Sequence, residues 1–288
     1  MPEHADAPFG NVTDDDVVYP GAHKPDRSYR IDANGVGIAV SEWGSPADPT
    51  LMLVHGGVDF AATYEVFAPK LAARGFRVVA WDQRGHGDSD HAYLYSWEAD
   101  LRDKICVLDH VADRPSPVIG HSKGGSLIVQ LADVQPFRFS HIVNIDGIPC
   151  KRRAPDISEH DRTKMLSDEI SGWLDHRRRT ALASRKPDTL DGLARRRQSI
   201  NPRLSVDWLR YLVTRGGRRD NDGWRWKLDP SMRFGGFGPW RPEWAQLRLA
   251  GIGAPFLGVL VSEQEEMGWG TSTDDLAGWV PPNGSIEL

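Results

Sequence analysis

The stretch VIGHSKGG, residues 118–125, constrains this chain more than any other. It sets one serine, Ser122, between an apolar run that ends in glycine and an apolar run that begins with glycines. A serine between a strand and a helix has to sit on a very sharp turn. Gly120 and Gly124, two before and two after, let the neighbouring backbones approach without Cβ clashes. Such a turn lifts the hydroxyl above the sheet edge, at the N-terminus of the following helix. There the helix dipole and the free N–H of Lys123 can stabilise an anion. On this reading Lys123 contributes its backbone N–H and not its side chain.

The sequence around this turn alternates between strand and helix signals. RSYRIDANGVGIAVSEWG reads as two short strands around Asn34-Gly35, a hairpin turn pair. TLMLVH (50–55) is a continuous apolar run stopped by Gly56-Gly57, as a buried parallel strand would be. Apolar residues from Phe60 to Ala73 recur at helical spacing, and FRVVAWD (76–82) is the next strand. SWEADLRDKICVLDHVAD (96–113) has Leu101, Ile105 and Leu108 on one helical face. PVIG (117–120) leads into Ser122, SLIVQLADV is the helix after it, and FSHIVNID (139–146) is again a strand. After residue 250 the alternation resumes with PFLGVLVS as a strand, TSTDDLAGWV as a helix and SIEL as the start of a strand. The expected class is therefore α/β, with a mostly parallel, doubly wound sheet covered by helices on both sides.

Residues 151–250 break the pattern. They carry 23 Lys+Arg against 13 Asp+Glu, whereas the rest of the chain carries 12 against 27, and they hold six of the eleven tryptophans. The segment is too long for a connecting loop and mostly helical in pattern, which makes it an inserted lid. The expected layout is a flexible tail over 1–27, a first part of the core over 28–148, an Arg/Trp-rich helical lid over 149–250 and a second part of the core over 251–288. The basic clusters Arg177-Arg178-Arg179, Arg195-Arg196-Arg197 and Arg215 to Arg219 are read mainly as solvated lid arginines that pair with the acidic core. Recognition of an anionic substrate and nucleic-acid stacking are the readings they displace.

Bulk composition narrows the setting. A hydrophobic content of 40% with 26% charged residues is that of an ordinary globular chain. No apolar run approaches the ~18 residues of a membrane span. The acidic opening MPEHADAPFGNVTDDD is not a secretory signal. Cys106 and Cys150 are too few for a disulfide framework and read as reduced packing residues of a cytoplasmic protein.

Three loops fall at the C-terminal ends of the parallel strands, where open α/β sheets bind ligands. They are His55-Gly56-Gly57, Gly120 to Gly124, and Ser262-Glu263-Gln264-Glu265-Glu266. A second N–H for an oxyanion would come from the first of these, from Gly57 or Val58. WDQRGHGDSD (81–90) reads as a tight polar turn against the serine loop; its His86 and Asp88 are structural rather than catalytic on this reading.

HGG after one strand, D-x-R-G-x-G-x-S after the next and GHSxGG after a third together resemble the α/β-hydrolase superfamily, in its lidded branch of esterases, carbon–carbon bond hydrolases, perhydrolases and epoxide hydrolases. The likeness covers about 30–148 and 250–288, with GWRWKLDP (223–230) familiar as the return from a lid. The resemblance implies the α/β-hydrolase fold. It also implies acyl-transfer chemistry, because epoxide hydrolases carry aspartate where Ser122 stands. It places the catalytic acid after the strand that follows the lid, at Glu265, or before the lid, at Asp146. The small-molecule substrate would carry an ester or related carbonyl; no cofactor, metal, nucleic acid or membrane is expected.

The same resemblance puts the base, a histidine, after the last strand. The ten histidines end at His176, and the chain ends at Leu288 within what reads as that strand. His55 and His121 are poorly placed as substitutes, and His160 and His176 belong to the lid. The expectation is a hydrolase cut short of its base and impaired for that reason, with an exposed sheet edge that would favour homo-oligomers. The alternative is a non-catalytic small-molecule-binding protein of the same fold.

Overall fold

A computed structural model describes residues 17–148, 159–232, 247–263 and 271–288. The N-terminal half alternates as its apolar pattern demands. β1 (Arg27–Asp32) and β2 (Gly37–Trp43) form an antiparallel hairpin. Its turn has positive φ at both Asn34 (55°) and Gly35 (87°), the backbone a two-residue primed turn requires. β3 (Thr50–Val54), α1 (Ala68–Ala72), β4 (Arg77–Trp81), α2 (Trp97–Val111), β5 (Ser116–His121), α3 (Lys123–Val134) and β6 (Phe139–Ile145) follow. Then come α4 (Glu159–Thr180), α5 (Leu190–Ile200), α6 (Val206–Gly216) and a small hairpin of β7 (Gly217–Asp220) and β8 (Gly223–Trp226). β9 (Phe256–Val259) and β10 (Gly284–Glu287) return to the main sheet.

That sheet has eight strands in the order β1-β2-β4-β3-β5-β6-β9-β10. Only the pairs made by β2 are antiparallel; every pair from β4 to β10 is parallel. Both faces are covered, so β3 and β4 are apolar at every position after their first residue. Met52, Val54, Val79 and Trp81 pack into the larger cluster with Val107 and Leu108 of α2 and Ile128 and Leu131 of α3. Their sequence neighbours Leu51, Leu53, Val78 and Ala80 face the other way, into a cluster with Trp43 and Ala68. Alternating burial on two covered faces is the reason TLMLV and RVVAW read as continuous apolar runs.

The segment between β6 and β9 has a core of its own. Leu190, Leu193 and Ala194 of α5 pack on Leu209, Leu212 and Val213 of α6 and on Trp224, and Phe60 is the fully buried member that the body contributes. Arginines of this insertion pair both inward and among themselves. Arg197–Asp59, Arg215–Glu65, Arg203–Glu263 and Lys227–Asp88 reach the body. Arg178–Asp175, Arg196–Asp188, Arg210–Asp191 and Arg225–Asp222 stay within the insertion.

Three expectations from the sequence meet a different structure. The helix expected from Phe60 to Ala73 is divided into a 3-10 turn, Ala61–Tyr64, and the short α1. Pro69 lacks an N–H to continue a helix from upstream and sits instead in the first turn of α1. TSTDDLAGWV forms only a 3-10 turn at Asp274–Leu276; the Ser272 hydroxyl pairs with the Asp275 carboxylate, and Gly278 turns the chain at φ 85°. Residues 17–26, expected as the end of a flexible tail, lie against both the insertion and the body. Tyr19 packs on Trp208 with centroids 4.8 Å apart, and the His23 N–H donates to the Glu65 carbonyl at 2.8 Å. Residues 1–16, Cys150, Trp240 and Trp244 lie outside the described residues.

Candidate active site

The serine stands where the turn signal puts it. β5 ends at His121, α3 begins at Lys123, and Ser122 between them has φ 48° and ψ −123°. A side chain in the left-handed region is strained by roughly 1–3 kcal/mol, which persists only where the surroundings leave no alternative. Here they leave none. A Cβ on Gly120 would lie 2.7 Å from the Cα of Gly125, and one on Gly124 would lie 2.4 Å from the Val54 carbonyl oxygen. Strand β5 and helix α3 therefore cross in contact, and the Ser122 N–H donates to the Ile145 carbonyl at 2.9 Å.

The parallel register gathers the loops at one edge. Val54 pairs with Gly120, His121 with Ile145, and Ile145 with Val259, so β3, β5, β6 and β9 end side by side. Gly56 faces the serine directly: a Cβ there would lie 3.2 Å from Ser122 Cβ and 3.0 Å from His121 Nδ1. Asp146 follows β6, at φ 46°, with its N–H donated to the Val259 carbonyl at 2.7 Å. Glu263 sits after β9 and pairs with Arg203 of the insertion. Glu265 lies outside the described residues.

Two histidines support the loop over the serine. The Gln83 N–H donates to His55 Nε2 at 2.9 Å, so Nδ1 carries the proton and donates to the Gly56 carbonyl at 2.7 Å. The Val58 N–H donates to His86 Nε2 at 3.2 Å, and His86 Nδ1 donates to the Arg84 carbonyl at 2.9 Å. Both rings are fully buried and packed edge-on, with centroids 5.1 Å apart. Burial keeps them neutral: it holds His55 well below the ordinary imidazole range and, with the Lys123 charge nearby, brings His86 down to about 4. With all four ring nitrogens committed, neither histidine can take a proton from Ser122. His176 binds the Ser231 carbonyl at 2.8 Å, and the side chain of His160 is outside the described residues. Among the described residues no histidine hydrogen-bonds to Ser122.

Of the two donors considered in the loop, Val58 is spent on His86. The Gly57 N–H has no partner among the described residues, and Lys123 opens α3, where no preceding turn supplies an acceptor. Both N–H groups are thus without an acceptor among the described residues.

A polar layer beneath the loop escaped the sequence reading. The Lys123 ammonium is 2.6 Å from Asp100 of α2 and 5.8 Å from the Trp97 ring centre. Burial alone would raise the Asp100 carboxyl, but Lys123 and Lys104 outweigh it and hold the group below its ordinary value. Lys104, also buried, donates to Gln83 Oε1 at 3.0 Å and is lowered to about 8 by burial. Gln83 in turn donates to the His55 carbonyl at 2.6 Å. Arg84 and Asp103 form a buried bidentate pair at 2.6 Å on each arm. The only sequence signal was a set of charges at one spacing on α2, Asp100, Asp103 and Lys104, inside an otherwise apolar face.

The chain is similar to known hydrolases. The family model described as serine aminopeptidase, S33, matches residues 45–226. Epoxide hydrolase A of Mycobacterium tuberculosis is 35% identical over 104 residues, 34% of this chain and 31% of that protein. A serine hydrolase-like protein of Dictyostelium discoideum is 29% identical over 182 residues, 61% of this chain and 46% of that protein. The chain thus spans less than half the length of these relatives. Among solved structures, a thioesterase domain from the curacin biosynthetic pathway superposes with a TM-score of 0.73 at 22% identity, covering 91% of this chain and 92% of that one. An esterase of Mycobacterium tuberculosis superposes at 0.64, also at 22% identity, covering 91% and 82%. At that identity the likeness speaks for the fold alone. The match of the family model over more than half the sequence, on a sheet of this order, means that the chain belongs to the α/β-hydrolase superfamily, in the serine aminopeptidase S33 family.

Proposed function

We propose that the chain is a serine-nucleophile hydrolase for an ester or a related carbonyl compound, working through an acyl-enzyme. The observation that carries this reading is the left-handed Ser122 between β5 and α3, facing Gly56. Ser122 Oγ attacks the carbonyl carbon as its proton passes to solvent water, which returns a proton to the leaving group. The N–H groups of Gly57 and Lys123 receive the oxyanion, each worth roughly 2.7–4 kcal/mol in the transition state. Collapse of the tetrahedral species expels the leaving group and leaves the acyl group on Ser122; water then releases it. The insertion acts as the lid over this edge, and Glu265 or Asp146 is the acid that would orient a histidine base. The sequence has no histidine beyond His176, and His55 and His86 are spent on the loop. Among the described residues no histidine serves Ser122 as a base, and a serine without one is a weak nucleophile.

A fluorophosphonate probe tests the reading. Labelling of the folded chain that maps to Ser122 and disappears in Ser122→Ala supports it; a folded chain that takes no label counts against it. The committed histidines favour one further reading, a binding protein that uses the same strand-end site without chemistry. Saturable binding of a carbonyl ligand, undiminished in Ser122→Ala and with no label on Ser122, would identify that case.

A further inference from the structure

The loop over Ser122 is gripped peptide by peptide. His55 takes the Gly56 carbonyl and His86 takes the Val58 N–H, both from the body. The third grip comes from the insertion: Arg197 of α5 donates from Nη1 to the Val58 carbonyl at 3.1 Å. Its Nη2 lies 3.5 Å from Asp59 Oδ1, with both side chains largely buried. The guanidinium also lies over the Trp226 ring at 5.8 Å, and that ring packs on Phe60 with centroids 6.2 Å apart.

Val58 needs such a grip. Its φ of 54° is in the left-handed region, a genuine outlier for a β-branched residue. Without hydrogen bonds on both sides the residue would relax to negative φ, turning the adjoining peptides and shifting the neighbouring Gly57 N–H. The planar guanidinium reaches the carbonyl and the carboxylate together, which a single ammonium does not. Arg196, next on the same helix, pairs instead with Asp188 of the insertion.

We infer that Arg197 is a positioning residue that makes the oxyanion site depend on the insertion. The 56–58 loop holds its Gly57 donor at Ser122 only while α5 is seated and Arg197 is on the Val58 carbonyl. This rests on the reading of Ser122 as nucleophile. It extends that reading, because opening of the insertion would then dismantle the site as well as uncover it.

Hydrogen–deuterium exchange on the full chain tests the grip, with Arg197→Ala, Arg197→Lys and Arg196→Ala compared with the unchanged chain. Arg197→Ala should speed exchange in the 55–60 segment about tenfold, the order expected for loss of one charged hydrogen bond. Arg197→Lys should recover only part of that protection, and Arg196→Ala should leave the segment unchanged. Equal exchange in Arg197→Ala and Arg196→Ala overturns the grip, and the Lys variant carries the comparison if the Ala variant does not fold. Fluorophosphonate labelling tests the coupling. The maximal labelling rate of Arg197→Ala should fall about tenfold, with half-saturation within twofold of the unchanged chain. A loosened loop with an unchanged maximal rate overturns the coupling. An unchanged chain that takes no label sinks the nucleophile reading, while exchange still decides the grip.

Discussion

His86 and Val58, 28 positions apart in the chain, meet through one hydrogen bond: the Val58 N–H donates to His86 Nε2 at 3.2 Å. The bond requires an unprotonated Nε2. The imidazole titrates at about 4 in the fold, against an ordinary value of 6.5. Between those values the unfolded chain binds more protons than the folded one. The stabilisation is therefore complete above pH 6.5 and is lost as pH falls toward 4. By pH 5 the His86 contribution alone is smaller by about 2 kcal/mol. Asp82, pushed up to about 6 by burial, acts in the opposite sense over part of this range. The comparison that isolates His86 is thus urea midpoints at pH 5 and 7 for the unchanged chain and for His86→Asn. The variant should show the smaller drop, and equal drops would refute the assignment.

Ser122→Gly should be more stable than Ser122→Ala by about 1 kcal/mol. Both lose the hydroxyl, but only glycine is at ease at φ 48°. Paired thermal melts decide it, and a glycine variant that melts no higher than the alanine variant would show the turn to be unstrained.

Gly124→Ala should lose 1–3 kcal/mol or more, because its Cβ would lie 2.4 Å from the Val54 oxygen and 2.5 Å from the His55 oxygen, both backbone atoms. Gly172, in α4, has open space at its Cβ, so Gly172→Ala is the control that should be neutral or slightly stabilising. Urea denaturation of the two variants provides the comparison.

Glu65→Gln should loosen the insertion. The buried carboxylate of Glu65 accepts from Arg215 Nη2 at 2.8 Å and from Arg215 Nε at 3.0 Å, and the Tyr211 hydroxyl donates to it as well. Neutralising one partner leaves the guanidinium half-buried and unpaired, a loss of about 3 kcal/mol. Limited proteolysis should cut within α4–α6 sooner in the variant, and an unchanged digestion pattern would argue against the tie.

What could be read from the sequence was local. Asn34-Gly35 predicts its turn because few other pairs accept two positive φ values in succession. The glycines around Ser122 predict the elbow because only they allow the contact of β5 with α3. The apolar spacing from Phe60 to Ala73 suggests one helix because it says nothing of Pro69, which starts a new one instead. The supports of the 56–58 loop were legible only in part: His86 reads as structural, but what it and Arg197 hold does not show in the sequence. His86 reaches back 28 residues, and Arg197 reaches 139. Each looks like a common turn histidine or surface arginine until the fold brings it to Val58. The pairing of Lys123 with Asp100 was hidden for the same reason, since nothing in GHSKGG indicates which way the lysine turns.

Among the described residues the apolar centre of the insertion is almost wholly its own, with Phe60 as the one buried member from the body. A part that holds itself together can be altered without retuning the sheet that carries Ser122. Substitutions on α5 and α6 that leave Arg197, Tyr211 and Arg215 in place can reshape the insertion without disturbing the strand ends. A graft of the insertion from a related protein would need to preserve its crossing contacts, among them Phe60 in its core, Arg197 on Val58 and Arg215 with Tyr211 on Glu65.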